Sequence, residues 1–224
     1  NSAVLYNGAL YAAGRHIPGP ITVPAPLHLM QTGLSKIDLA GGTAVWSRLG
    51  TAGIPQSTTL YGTDLVVNGD GIAMLSAGFD SLGNNQRSAF FLQKNTLDGA
   101  LLWQKRYSIS GYQNVEAHDI QQLADGYLLS GQARAGMDGW DKIIVKTDPV
   151  GHVLWARQLV SGTYDSKPGQ FFIHNHQMAV RNNALYLTAF TEEFPSDLLL
   201  LKMTLDGDVS DSCGYVQPID VQAT

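Results

Sequence analysis

Short apolar runs alternate with turn-forming residues along the chain, and the same arrangement recurs four times in 224 residues. Residues 36–46 (KIDLAGGTAVW), 94–103 (KNTLDGALLW) and 146–155 (KTDPVGHVLW) are similar to one another, and 202–211 (KMTLDGDVSD) is a fourth version that ends in Asp211 instead of Trp. Their glycines, at positions 42, 99, 151 and 207, recur every 52–57 residues. A fixed period of this length is the signature of a repeat architecture.

A second shared segment lies before each lysine. Two strand-like apolar runs flank Asn, Asp or Gly residues in 5–14, 66–78, 122–131 and 180–189. Turn residues between two such runs predict a β-hairpin. Each repeat is therefore predicted to contain strands a and b joined by a tight turn, then a loop, strand c, a glycine turn and strand d.

Strand c is predicted to be buried on both faces. Residues 89–93 (AFFLQ), 143–145 (IIV) and 198–201 (LLLL) are nearly continuous apolar runs, which are typical of strands covered on both sides. No segment keeps apolar spacing at helical period over three turns. The prediction is an all-β chain, a β-propeller of four four-stranded blades that forms a closed four-bladed ring or half of a larger propeller.

The predicted blades span residues 1–50, 51–110, 111–163 and 164–217 of one domain, followed by a C-terminal tail at 218–224. The weakly alternating segment 216–223 is expected to add an edge strand. The tryptophan that opens strand d (Trp46, Trp103 and Trp155) is predicted to fill the gap to a neighbouring blade and to donate its N–H to a backbone carbonyl.

Composition narrows the class of protein. Charged residues make up 15% of the chain, against about 25% in typical soluble domains, while glycine and small polar residues are abundant, as in many extracellular β-proteins. The net charge is −5 with scattered basic residues, so no nucleic-acid binding is expected. The apolar stretches are too short to span a membrane. We expect a secreted, cell-surface or periplasmic protein, in which the single Cys213 forms no internal disulfide.

Two motifs carry a family resemblance. An Asp, a glycine turn and a Trp at Asp38 to Trp46 and at Asp148 to Trp155 resemble the tryptophan-docking motif (D-x-x-G-x-x-x-W) of quinoprotein-like propellers. The series Asp141, Lys146, Asp148, Gly151 and Trp155, with the element DGY followed by Gly131, is similar to β-propeller repeats of large secreted bacterial proteins.

The resemblance implies the fold and leaves the function open, because propellers include enzymes, lectins and scaffolds. The chain has about half as many blades as the quinoprotein enzymes, no adjacent cysteine pair and no quinone-binding set, so neither dehydrogenase activity nor a quinone cofactor is expected. It also has no G-x-S-x-G motif and no glycine-rich phosphate loop. We therefore expect no enzymatic activity.

One group of residues suggests a metal site. His174 and His176 are two positions apart on a predicted strand a, so both side chains point to one face, and repeat alignment places Glu116 and His118 at the equivalent positions, followed by Asp119. The same alignment places Thr63 and Asp64 of the second repeat at the positions of His118 and Asp119. Since strand a lines the central channel of a propeller, these five residues are predicted to surround one channel mouth. The alternative is that they are hydrated polar residues where the innermost strands converge.

The lysine that recurs in each repeat (Lys36, Lys94, Lys146 and Lys202) is expected to pair with a carboxylate or carbonyl at the end of strand c. Taken together, the sequence favours a non-enzymatic structural or protein-interaction module, with self-association included. The alternative is a carbohydrate- or metal-binding module that uses channel-mouth or inter-blade sites, and a hydrolase or lyase is the third class.

Overall fold

The computed structural model describes residues 2–16, 31–49, 58–80, 87–134, 140–159, 178–190, 198–209 and 216–224, and within these ranges the chain is all β with no helix. Seventeen strands lie in these ranges. They are β1 Ser2–Tyr6, β2 Ala9–His16, β3 Gln31–Asp38, β4 Thr43–Leu49, β5 Thr58–Asn68, β6 Gly71–Asp80, β7 Arg87–Asn95, β8 Leu101–Ile109, β9 Asn114–Leu123, β10 Gly126–Arg134, β11 Asp141–Thr147, β12 Val153–Leu159, β13 Met178–Arg181, β14 Ala184–Phe190, β15 Leu198–Thr204, β16 Val216–Pro218 and β17 Val221–Ala223.

The strands form four antiparallel sheets, one for each repeat. Sheet 1 is β1-β2-β3-β4, sheet 2 is β5-β6-β7-β8 with β17 beside β8, sheet 3 is β9-β10-β11-β12 with β16 beside β12, and sheet 4 is β13-β14-β15. Residues 210–215, which include the start of the predicted fourth strand of sheet 4 at Asp211, lie outside the described part. The chain divides into two compact units, Asn1–Arg106 and Tyr107–Thr224, so the boundary falls within β8.

The predicted hairpins are confirmed in all four sheets. Sheets 1 and 4 turn through Asn7-Gly8 and Asn182-Asn183, whose positive φ angles suit a two-residue turn that matches strand twist. Sheets 2 and 3 instead begin strand b with a glycine. At Gly126 a Cβ atom would lie 1.8 Å from the carbonyl oxygen of Thr147, so the close approach of β10 and β11 requires glycine there.

In the first unit, sheets 1 and 2 pack face to face through one apolar cluster. Tyr11 and Leu34 of sheet 1 meet Leu65, Ile72 and Met74 of sheet 2, and all five are buried. Strands alternate their side chains, so the residues of β2 and β6 that face this cluster recur at every second position.

The second unit repeats this arrangement. Leu128 and Ile144 of sheet 3 pack against Leu185, Leu187 and Met203 of sheet 4. Relative to the repeated lysines, Leu128, Ile144, Leu185 and Leu187 hold the positions of Tyr11, Leu34, Ile72 and Met74, so one interface is built twice.

Tryptophan docking completes each interface. The ring of Trp46 lies over the turn at Gly99, where an added Cβ would be 3.0 Å from the ring, and the ring of Trp155 lies over Gly207 in the same way. Trp155 Nε1 donates to the carbonyl oxygen of Leu205 at 3.1 Å, whereas Trp46 Nε1 is buried without a hydrogen-bond partner. The predicted packing role is confirmed for both rings, and the predicted hydrogen bond only for Trp155.

Burial of strand c differs among the sheets. In β7 and β11 the described side chains are buried on both faces from residue 88 to 95 and from 142 to 147, as predicted. In β15 the prediction is wrong, because Leu200 is 63% exposed. Its segment is a strand and not a helix, but the face of sheet 4 that contains Leu200 has no covering sheet among the described residues.

The C-terminal residues add edge strands, as predicted, and they do so on two different sheets. β16 pairs with β12 through Arg157 to Leu159, and β17 pairs with β8 through Tyr107 to Ile109. None of the described residues forms a helix long and apolar enough to cross a membrane.

Candidate functional site

Three of the five residues proposed for metal binding lie on β9 of sheet 3. Glu116, His118 and Asp119 are all described, whereas His174 and His176 lie outside the described residues. The register of β9 against β10 contains a bulge at this point, because Ala117 pairs with Gly131 and Asp119 with Ser130, which leaves His118 as the extra residue.

The same bulge occurs in sheet 2. Gly62 pairs with Ser76 and Asp64 with Leu75, so Thr63 is the extra residue there. The repeat alignment that matches Thr63 with His118 and Asp64 with Asp119 is therefore confirmed by strand register. Because the bulge recurs in two repeats, it is a regular feature of the fold. In sheet 3 it places Glu116 and Asp119 on one face.

The bulge brings the first two candidates together. His118 Nε2 lies 3.8 Å from Glu116 Oε2, and Gln132 Nε2 donates to the same carboxylate oxygen at 2.7 Å. The side chain of His118 is 20% exposed and that of Glu116 is 54% exposed. Imidazole and carboxylate are both zinc ligands, and zinc sites use three or four protein ligands, so this pair would need further ligands to hold the ion.

Asp119 has a different role in the structure. Its Oδ2 accepts the backbone N–H of Met178 at 2.8 Å, and its Oδ1 accepts a hydrogen bond from Gln121 Nε2 at 3.3 Å. The first of these bonds joins β9 to β13, so this carboxylate connects sheets 3 and 4. Within the described residues no group of three or more His, Cys, Asp or Glu side chains is arranged to hold a metal ion, and the five-residue metal site stays a prediction.

Sequence reasoning missed the most unusual group near this site, Lys142 of β11. Its side chain is fully buried and its Nζ lies 3.4 Å from Ser130 Oγ. Burial lowers the pKa of Lys142 to about 7, and the negative charge of Asp119 opposes this shift without cancelling it. A signal was available, because Lys142 is two residues from the buried Ile144 and therefore shares its face.

The buried amine defines what the arrangement can do chemically. A lysine with a pKa near 7 is partly neutral at physiological pH, and a neutral amine beside a hydroxyl is able to accept its proton. Both Ser130 and Lys142 are inaccessible to solvent, however. We therefore expect the charge of this pair to affect the stability of the packed sheets.

The repeated lysines use two kinds of partner. Lys146 Nζ lies 2.9 Å from a carboxylate oxygen of Asp125, as predicted. Lys36 and Lys202 instead lie over the rings of Tyr11 and Tyr186, their direct cross-strand neighbours, at 5.4 and 5.9 Å from the ring centroids. For these two lysines the described contact is with a tyrosine ring, and sheet 3 has Leu128 at the position of that tyrosine. A carboxylate or carbonyl partner stays a prediction for them.

A comparison with protein-family models finds no match for this chain, and a comparison with curated proteins finds no significant similarity.

Proposed function

We propose that the four sheets are the blades of a β-propeller, and that the chain is a non-enzymatic secreted, cell-surface or periplasmic module that binds protein segments. The propeller interpretation is supported by the interface that recurs in the two units, in which the strand d tryptophan of one sheet lies over the glycine turn of the next. Successive sheets that pack by one repeated contact are typical of propellers.

The observation that carries the binding function is the addition of strands at outer sheet edges. β16 and β17 are three-residue strands that pair with β12 and β8 through main-chain contacts. Addition of an extended segment to an exposed edge is a general mode of protein recognition, in which backbone hydrogen bonds supply affinity and side chains supply specificity.

The outer strands also present a recurring apolar side chain. Val45, Leu102 and Leu154 each directly precede the strand d tryptophan, and each is more than half exposed. Their recurrence at one repeat position gives every tryptophan-bearing outer strand an aliphatic contact for an added segment.

Binding can be tested by offering the C-terminal segment in trans. A variant that ends at residue 215 removes β16 and β17, and a fluorescent peptide of residues 216–224 is then titrated against it while anisotropy is measured. We expect saturable binding, because the peptide restores the strand pairs that the full chain makes.

A matched control peptide carries Gln217→Pro and Gln222→Pro. Ser110 N–H donates to Asp220 O and Ile219 N–H donates to Ala156 O, and alternate residues of an antiparallel pair are bonded in the same way. Both glutamines therefore lie at donor positions that proline removes. Equal binding of both peptides, or binding of neither by a truncated chain with an unchanged circular dichroism spectrum, contradicts the proposed function.

A further inference from the structure

One face of sheet 4 is exposed at a position that the other sheets bury. The residue two places before each repeated lysine is aliphatic in all four repeats: Leu34, Leu92, Ile144 and Leu200. The first three are 0–2% exposed, and Leu200 is 63% exposed. Leu34 and Ile144 are buried because the following sheet of their unit covers them.

Sheet 1 is also incompletely covered, on the face that points away from sheet 2. Equivalent cross-strand pairs are Leu10–Ile37, Ile72–Asn95, Tyr127–Thr147 and Leu185–Met203. All residues of the last three pairs are buried, whereas Leu10 and Ile37 are half-buried. Leu5, the cross-strand neighbour of Leu10, is 64% exposed.

The glycine turns give a third and separate indication. Gly99 and Gly207 are covered by the tryptophan rings of sheets 1 and 3, at 3.0 Å from an added Cβ. Gly42, the equivalent residue of sheet 1, has nothing within 4 Å of that position and is exposed. Sheet 1 therefore has the surface that receives a preceding sheet, but its receiving turn is open.

We propose that these two surfaces bind each other between two copies of the chain, the face of sheet 4 with Tyr186, Leu200 and Lys202 packing on the face of sheet 1 with Leu5, Leu10 and Ile37. This inference rests on the propeller interpretation in the proposed function and adds a second copy of the chain as a partner. The contact continues an interface that the molecule already makes twice, between sheets 1 and 2 and between sheets 3 and 4.

The residues of the two faces fit this contact. Lys202 lies over Tyr186 as Lys36 lies over Tyr11, and Tyr11 is only 2% exposed because sheet 2 covers it. Sheet 4 thus carries the same tyrosine–lysine pair that sheet 1 uses in a covered interface. Because the two faces differ, two copies related by a twofold axis make the contact twice and leave neither face open.

Sedimentation equilibrium of the full chain tests the proposal. We expect a species of twice 24.1 kDa that dissociates on dilution, and Leu200→Glu should raise the dimer dissociation constant at least tenfold, because a charge would be buried against Leu5 and Leu10. Val150→Glu is the matched control: it alters an exposed aliphatic residue in the glycine turn of sheet 3, outside both faces, and should leave the constant unchanged.

Mixing two variants tests the head-to-tail geometry. Leu5→Glu alone should also weaken the dimer, whereas an equimolar mixture of Leu5→Glu and Leu200→Glu retains one intact contact per pair and should dimerise more strongly than either alone. The proposal is overturned if the full chain is monomeric at every concentration, or if the Leu5→Glu variant dimerises as the parent does. A monomeric parent whose truncated form still binds the 216–224 peptide would leave the proposed function standing.

Discussion

The interface of sheets 1 and 2 and the interface of sheets 3 and 4 bury apolar residues at equivalent positions, but their polar contacts differ. In the second, Trp155 and Arg157 donate to the carbonyls of Leu205 and Gly207, and Met178 N–H donates to Asp119. In the first, two buried polar atoms, Trp46 Nε1 and Thr32 Oγ1, have no hydrogen-bond partner, whereas in the second one such atom, Gln132 Oε1, lies on the face of sheet 3 that carries Leu128.

This difference shows that the repeated sequence pattern predicts apolar packing but does not predict polar contacts. Apolar packing follows from residue type at alternate positions, which the repeats share. Polar contacts depend on single residues that the repeats do not share. Thr32 and Lys142 illustrate this, since each lies four residues before its repeated lysine and each is buried, one as an unpartnered hydroxyl and the other as an amine near Ser130 and Asp119.

Replacing Lys142 should give the largest effect. We expect Lys142→Met to raise the free energy of unfolding at pH 6 by about 2–4 kcal/mol, because the buried amine shifts its pKa by several units and each unit corresponds to about 1.4 kcal/mol. Methionine fills a similar volume without a charge. Urea unfolding of both proteins measures the difference.

The gain from Lys142→Met should depend on pH. The lysine pKa is about 7 in the folded chain and 10.5 for an ordinary lysine, so between these values the unfolded chain binds one more proton. Rising pH therefore stabilises the parent protein across this window. The advantage of the variant should be complete below pH 7 and should shrink toward pH 10, and a gain that is independent of pH would contradict the lowered pKa.

The two tryptophans should respond differently to phenylalanine. Trp155→Phe loses the bond to Leu205 O and should cost about 1–2 kcal/mol beyond the lost ring area. Trp46→Phe removes a buried donor that has no partner, so its cost should be at least about 1 kcal/mol smaller. Thermal and urea unfolding of the two variants give the comparison, and equal losses would show that the indole N–H of Trp155 contributes nothing.

Local signals predicted most of the fold. The hairpins depend on turn residues such as Asn7-Gly8, whose conformation is set within four residues. The all-β class, the four sheets and the docking of Trp46 and Trp155 follow from patterns that recur in the chain. β16 could be predicted as an edge strand, but its pairing with β12 could not, because three residues do not specify a distant register.

The candidate site was less accessible from the sequence. Repeat alignment placed His118 and Asp119 correctly relative to Thr63 and Asp64, but it gave no indication that Asp119 holds the Met178 N–H. Lys142 was missed because lysine is rarely buried. Its burial depends on the cover of sheet 4 over its face, which is a tertiary property.

Thr32→Val should give a smaller stabilisation within the first interface. Valine has the shape of threonine without the hydroxyl, and Thr32 Oγ1 is buried without a partner, so the variant should gain about 1 kcal/mol. Thr147→Val is the matched control, because that threonine is equally buried but donates to Asp148 O. It should lose stability, and an equal response of both variants in urea unfolding would show that neither hydroxyl matters.

The smallest change in stability is expected from removing the carboxylate partner of Lys146, a partner type that differs from the tyrosine beside Lys36. Asp125→Asn removes the carboxylate that Lys146 binds, but that side chain is 62% exposed, so the loss should stay below about 1 kcal/mol. The hydrogen bond from Lys146 lowers the pKa of Asp125, so its contribution is present above the ordinary carboxyl range and is lost as pH falls through the lowered pKa. The difference in stability between parent and variant should therefore vanish in strong acid and shrink in high salt.

Asp98→Asn, at an exposed aspartate of the glycine turn in sheet 2, is the control. An equal loss of stability there would show that the effect comes from general surface charge and not from the bond with Lys146.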